Sequence, residues 1–270
     1  MAGILGIGTN YERDFNTDIS LERIPGWDVR TVAGSNGDID TGDDVTIWPF
    51  VGNKWVRPDV GSIFYISSTS ASDTLNTFFV TALDPDYVQD TYIVTPNGQT
   101  PVDITGTGKQ LFRIIDCINI STVIQGAPHP SLGDIYIASE NNHTSGIPND
   151  AAKVQGQIEL RGGISADKWR CGYTTVPKGK TAIARRVFTW LGKNKEASIN
   201  WNTSLNTASA LGVELELSRI QQFQNFSEVS LIDVVFPQFS DIHFTISAEN
   251  NNSSAESLIQ FLIVDNNVIA

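Results

Sequence analysis

Val213-Glu214-Leu215-Glu216-Leu217 and His243-Phe244-Thr245-Ile246-Ser247 decide the fold. Polar and apolar residues alternate in both. Successive side chains of an extended strand point to opposite sides, so each segment turns one face to a core and the other to water. Segments of the same character fall at 157–160, 182–191, 196–201, 212–218, 229–236, 241–248 and 258–264. Upstream, Ser62–Ile66, Thr77–Leu83, Tyr87–Val94, Leu111–Val123 and Asp134–Ala138 recur with turn signals between them, the rhythm of a small antiparallel sandwich. Helical periodicity is nearly absent, and Ser218–Phe223 is the best short helix candidate. The pattern predicts an all-β chain.

The turns are as informative as the strands. Ile39 to Asp44, Ser68 to Thr74, Leu83-Asp84-Pro85-Asp86-Tyr87, Asn97 to Val102, Gly133 to Ile137 and Val176 to Ala182 each stand between or beside apolar runs. In such phrases Gly supplies positive φ, Pro presets φ, and Asn, Asp or Ser bonds its own backbone. They are architectural, not catalytic. Residues 1–60 lack sustained periodicity but carry Trp27, Trp48 and Trp55, together with Tyr11, Phe15 and Phe50. Rings in an irregular segment bury against something, which makes 1–60 a candidate assembly arm; a lead-in wrapping its own sandwich is the alternative. A β-sandwich is expected over 61–140. The polar, breaker-rich stretch 139–150 is read as a boundary, and 151–270 has the size of a jelly-roll-like sandwich.

Composition narrows the function. The 270 residues hold 18 Lys+Arg against 30 Asp+Glu, a formal charge of −12 that opposes nucleic acid. The one basic concentration, Lys178, Lys180, Arg185, Arg186, Lys193 and Lys195, interleaves with a strand pattern and reads as a solvated face. No run approaches the roughly 18 apolar residues of a membrane span, and the first ten residues do not have the pattern of a secretory signal. Cys117 and Cys171 lie outside any metal or redox spacing and suit buried free thiols, with a disulfide between them left open. Gly179-Lys180-Thr181 ends like a phosphate loop, but Pro177 and a following strand pattern argue against one. Asp38, Asp40, Asp43 and Asp44 lack calcium-loop spacing, and none of His129, His143 and His243 has a ligand-type partner two to four residues further along the chain. A non-enzymatic protein without cofactor or metal is expected.

In their order along the chain, Ile39 to Trp48, Ser67 to Thr74, Leu83 to Val102, Phe112 to Ile114, Gly133 to Ile137 and Tyr173 to Ala182 resemble virion structural proteins of tailed bacteriophages, marine and cyanobacterial ones in particular. Lys178 departs from the pattern, standing where Ala is usual, and Thr95-Pro96-Asn97-Gly98 replaces a plainer turn. The resemblance implies a virion component assembled in the host cytoplasm: a capsid decoration, cement or head-fibre protein. It would bind the major capsid protein or other virion proteins and its own copies, a trimer being plausible, with no nucleic acid or membrane partner. A tail fibre or adaptor is the alternative, and a carbohydrate-binding or depolymerase module facing a host glycan is another.

Overall fold

The computed structural model describes residues 24–41, 45–46, 58–121, 130–160, 169–191, 196–205, 214–223, 226–248 and 253–269. Ser253–Asp265 (β19) shows how the pattern becomes structure: Ser253, Ala255, Ser257, Ile259, Phe261 and Ile263 are buried, and the residues between them stay half-exposed as far as Gln260. The strand is flanked on both sides. Trp27–Ile39 (β1) pairs with it antiparallel from Trp27↔Val264 to Ile39↔Ser253, and Lys180–Leu191 (β14) pairs along its other edge. Phe226–Phe236 (β17) adds to β14, giving the sheet order β1-β19-β14-β17.

The facing sheet is built from Val45–Thr46 (β2), Glu196–Leu205 (β15), Glu214–Phe223 (β16) and Ser240–Ala248 (β18). Its order is β2-β18-β15-β16. Counting only these eight strands along the chain, the first sheet runs 1-8-3-6 and the second 2-7-4-5. That is the double Greek key of a jelly roll. Phe236 meets Phe261 edge-on at 6.1 Å, and Val32, Ile39, Ala182, Ala184, Val187, Ile242, Ile246 and Ile259 belong to the same core.

A second β unit interrupts the jelly roll between β2 and β14. Tyr65–Ser68 (β3), Val102–Asp103 (β6), Ile135–Ala138 (β8), Val154–Ile158 (β11) and Trp169–Arg170 (β12) form a sheet in the order β12-β11-β8-β3-β6. Phe78–Leu83 (β4), Gln89–Val94 (β5) and Arg113–Asn119 (β7) form another, β5-β4-β7. The exit and the return are adjacent. Strand β2 pairs with β18 at Val45↔Ile246 and Thr46↔Thr245, and Tyr173–Thr175 (β13) resumes the same edge in the same direction at Tyr173↔His243 and Thr175↔Asp241. The inserted unit thus replaces a break in one edge strand.

Three expectations change and one open point closes. The irregular arm over 1–60 contains β1: its central residues Gly34, Ser35 and Asn36 are buried without being apolar, so pairing with β19 makes the strand and alternation does not announce it. The boundary at 139–150 is instead a β-hairpin, His143–Thr144 (β9) with Ile147–Pro148 (β10), followed by a 3-10 turn over Ala151–Lys153. Its flanking strands β8 and β11 pair in one sheet, so the strands do not divide into 61–140 and 151–270. The helix candidate 218–223 lies within strand β16, where pairing with β15 overrides local preference. Cys117 and Cys171 are both buried free thiols. Asn266–Ile269 (α1) is a single helical turn, and among the described residues no helix is long and apolar enough to cross a membrane.

Gly156 in β11 lies under Trp169, and a Cβ there would come 2.0 Å from the indole ring. Gly156→Ala is expected to destabilise the protein by about 1–3 kcal/mol, read as a lower urea midpoint with an unchanged m-value.

Candidate functional site

Arg113 sits in an apolar run, and its guanidinium is fully buried. Such a charge needs a partner, because an unpaired buried ion carries a large desolvation cost. Asp241 of β18 supplies it: Arg113 Nη2 donates to Oδ2 at 3.0 Å and Nε to Oδ1 at 3.2 Å, a two-pronged arrangement between side chains 0% and 1% exposed. Arg113 Nη1 donates to Pro58 O (2.7 Å) and Phe112 O (2.9 Å), and the hydroxyl of Thr175 donates to Asp241 Oδ1. The pair joins the insertion to the jelly roll.

A second arginine reaches the other way. Arg30 of β1 donates to Gln89 Oε1 at 2.9 Å and to Thr175 O at 3.4 Å. Burial lowers its pKa from the ordinary guanidinium value, and Asp28, Asp116 and Cys171 oppose that shift. Burial also raises the Asp116 carboxyl, against the Cys117 N–H and the Arg30 charge. Beside these charges, Tyr87 packs edge-on against Phe112 (5.2 Å) and Phe239 (5.0 Å). Tyr87 and Phe239 both adopt positive φ, 61° and 71°, a conformation that costs a bulky residue energy and persists where surrounding contacts hold it. Lys178 N donates to Tyr87 O and Phe239 N to Val176 O, tying three turns together.

A second knot lies within the insertion. Asp73 is 0% exposed; its carboxylate accepts from the Ser68 hydroxyl, Leu132 N (2.8 Å) and Gly133 N (3.0 Å), and its carbonyl accepts from Gly98 N. Gly146 packs so closely on this knot that a Cβ would lie 1.8 Å from Ser68 O; with Ser145 at φ 51° and Gly146 at 80° it forms the tight turn of the β9–β10 hairpin. His143 Nδ1 lies 2.7 Å from Ser67 Oγ, a nucleophile–base distance. Ser67 is completely buried, however, and its hydroxyl donates to Gly146 O, so the pair brackets the hairpin. Burial lowers the His143 pKa and pushes the Cys171 thiol up to about 12.

Five of the six turn phrases therefore meet in two places: Leu83 to Tyr87 and Val176 to Ala182 at the joint, Ser68 to Thr74, Asn97 to Val102 and Gly133 to Ile137 at the knot. Of the candidate assembly residues, Trp27 is half-buried at the start of β1; Trp48, Trp55, Tyr11, Phe15 and Phe50 lie outside the described residues. Asp38 and Asp40 are described but Asp43 and Asp44 are not, and among the described residues no three His, Cys, Asp or Glu side chains form a metal-binding group. Sequence reasoning missed Arg113 and Asp241. The available signal was a lone arginine inside Leu111–Ile115, which demands a buried counter-charge without saying where it is.

No family model matches the chain, and no curated protein does. Among solved structures it is similar to infectious bursal disease virus Gx strain, at 9% identity over 88% of this chain and 72% of that one, TM-score 0.27. The Gt strain gives 9% over 94% and 78%, TM-score 0.26, and the VP2 subviral particle of the same virus 9% over 89% and 73%, TM-score 0.21. At these scores neither fold nor function is read from them.

Arg113→Met is expected to cost about 3–5 kcal/mol by stranding Asp241, whereas Arg113→Met combined with Asp241→Leu recovers most of it, measured by urea denaturation. Asp116 tests the second contact. Its folded pKa is raised, so the neutral form is favoured in the fold, and stability falls as pH rises through that pKa. Asp116→Asn should therefore raise Tm at neutral pH, with the gain vanishing below the ordinary carboxylate range.

Proposed function

We propose that this chain is a non-enzymatic virion structural protein, a capsid decoration, cement or head-fibre protein of a bacteriophage particle. The observation that carries the reading is a jelly roll interrupted at one edge by a second β unit held through buried charges. Jelly rolls recur in viral capsid and lectin domains, a link of scaffold and not of site. The ordered turn phrases support the narrower choice, because they resemble phage virion proteins and here do structural work. A chain with net charge −12 that devotes its buried polar groups to fixing geometry suits docking and display. Its partners on this reading are the major capsid protein or other virion proteins and copies of itself.

One observation favours the glycan-binding alternative: Trp190 on β14 is 42% exposed on a sheet face, where an indole can stack against a sugar ring.

Mass spectrometry of purified particles separated into heads and tails tests the proposal. The chain is expected in the head fraction, and the purified protein should rebind heads stripped of it. Recovery with tails would move it to the tail machine. Saturable glycan binding lost in Trp190→Ala, or release of reducing ends from a host polysaccharide, would replace the structural reading.

A further inference from the structure

The chain contains two Asn-Gly steps, Asn36-Gly37 in β1 and Asn97-Gly98 in the turn that follows β5. Glycine has no side chain to shield its peptide nitrogen, so at such a step that nitrogen can close on the carbonyl carbon of the asparagine side chain. Accessibility alone points to Asn97, which is exposed, over Asn36, which is 5% exposed. The hydrogen bonding points the other way.

In the turn the Gly98 nitrogen is already engaged. It donates to Asp73 O at 3.0 Å, Thr100 N donates to Asn97 O at 3.1 Å, and a Cβ on Gly98 would lie 2.6 Å from Ala71 O. Asp73 is itself held by Ser68, Leu132 and Gly133, so the turn has no slack with which to bring this nitrogen to the Asn97 side chain. The step in β1 is open by comparison. Gly37 and Asp38 are exposed and fall where the register with β19 shifts, between Asn36↔Ala255 and Ile39↔Ser253, and a Cβ on Gly37 would meet nothing within 4 Å. Asp38 N donates to Asn36 Oδ1 at 3.0 Å. That bond folds the side chain back over the intervening Gly37 peptide, and it places a donor on the oxygen that becomes negative when a nitrogen adds to Cγ.

We infer that Asn36 is a site of spontaneous deamidation, and that the reaction puts a carboxylate into the seam between β1 and β19. The Gly37 nitrogen gives its proton to water and bonds to Asn36 Cγ. The Cγ–Nδ2 bond then breaks, Nδ2 takes up a proton and leaves as ammonia, and a five-membered succinimide remains. Water adds to one of the two ring carbonyls and opens the ring, leaving an aspartyl or an isoaspartyl residue at position 36. Water is the only co-reactant, and it reaches the site past the exposed Gly37 and Asp38. Position 36 lies among the buried Ser35, Ala255 and Ser257, where a new charge carries a desolvation cost, and the isoaspartyl form adds a methylene to the main chain where strand register matters. The inference goes beyond the virion reading, and the purified chain suffices to test it.

The experiment is incubation of the full chain in mildly alkaline buffer, followed by peptide mapping by mass spectrometry and by isoaspartyl methyltransferase labelling. In the folded chain position 36 is expected to react at least about tenfold faster than position 97, a difference that unfolding in urea should erase. Gly37→Ala, which the open space accommodates, should slow the reaction at position 36 at least about tenfold and leave the urea midpoint in place. Asn36→Asp, the direct product, should lower that midpoint. Faster reaction at 97 than at 36 in the folded chain, equal reaction at both, a folded chain inert at both, an unchanged rate at 36 in Gly37→Ala, or an Asn36→Asp chain as stable as the unmodified one would each overturn the inference.

Discussion

The buried ion pair of Arg113 and Asp241 is the constraint on which the arrangement of the molecule depends. The two residues are 128 positions apart, and neither charge is tolerable alone in its surroundings. The inserted unit and the jelly roll must therefore dock at one relative placement, where guanidinium and carboxylate meet along two bonds with Thr175, Pro58 O and Phe112 O absorbing the remaining hydrogen-bonding capacity. A purely apolar joint of the same size could slide by a residue without a comparable loss. Such a pair contributes specificity of placement more securely than it contributes stability.

The topology of the root reinforces this. An insertion joined by one flexible strand could swivel, but here the outgoing β2 and the returning β13 occupy successive positions on one edge of β18. Cys171 N and Gly172 N also donate to Ala33 O of β1, so the return passes across both jelly-roll sheets. The positive φ values of Tyr87 and Phe239 fit the same logic. Strained backbone survives where neighbouring contacts over-determine it, and these two rings contact each other across the joint.

Much of the fold was legible because strands with one dry face betray themselves by alternation. The segments 182–191, 241–248 and 258–264 all reappear within β14, β18 and β19. Strand β1 was not legible, since Gly34, Ser35 and Asn36 are buried beside Ser257, Glu256 and Ala255 and belong to a polar seam of the sheet. The stretch 139–150 misled for a different reason: Ser, Gly, Asn and Pro mark a tight hairpin turn as readily as a linker, and only the pairing of β8 with β11 separates the two. The turn phrases were recognised as architecture, but their convergence on two knots depends on contacts between residues far apart in sequence.

The two knots impose different requirements on their surroundings. At the joint, charges and aromatic rings are consumed internally, and the sequence there tolerates little change because each group completes another's bonding. At the far knot, one carboxylate and a few backbone amides fix the loops. Leu75 and Leu132 stay largely in water, where an aliphatic residue gains nothing from the fold itself. A surface that is rigid beneath and unconstrained above can change its contacts without disturbing the fold, whereas the joint cannot. The division of labour within the insertion thus follows from where its buried polar groups are satisfied.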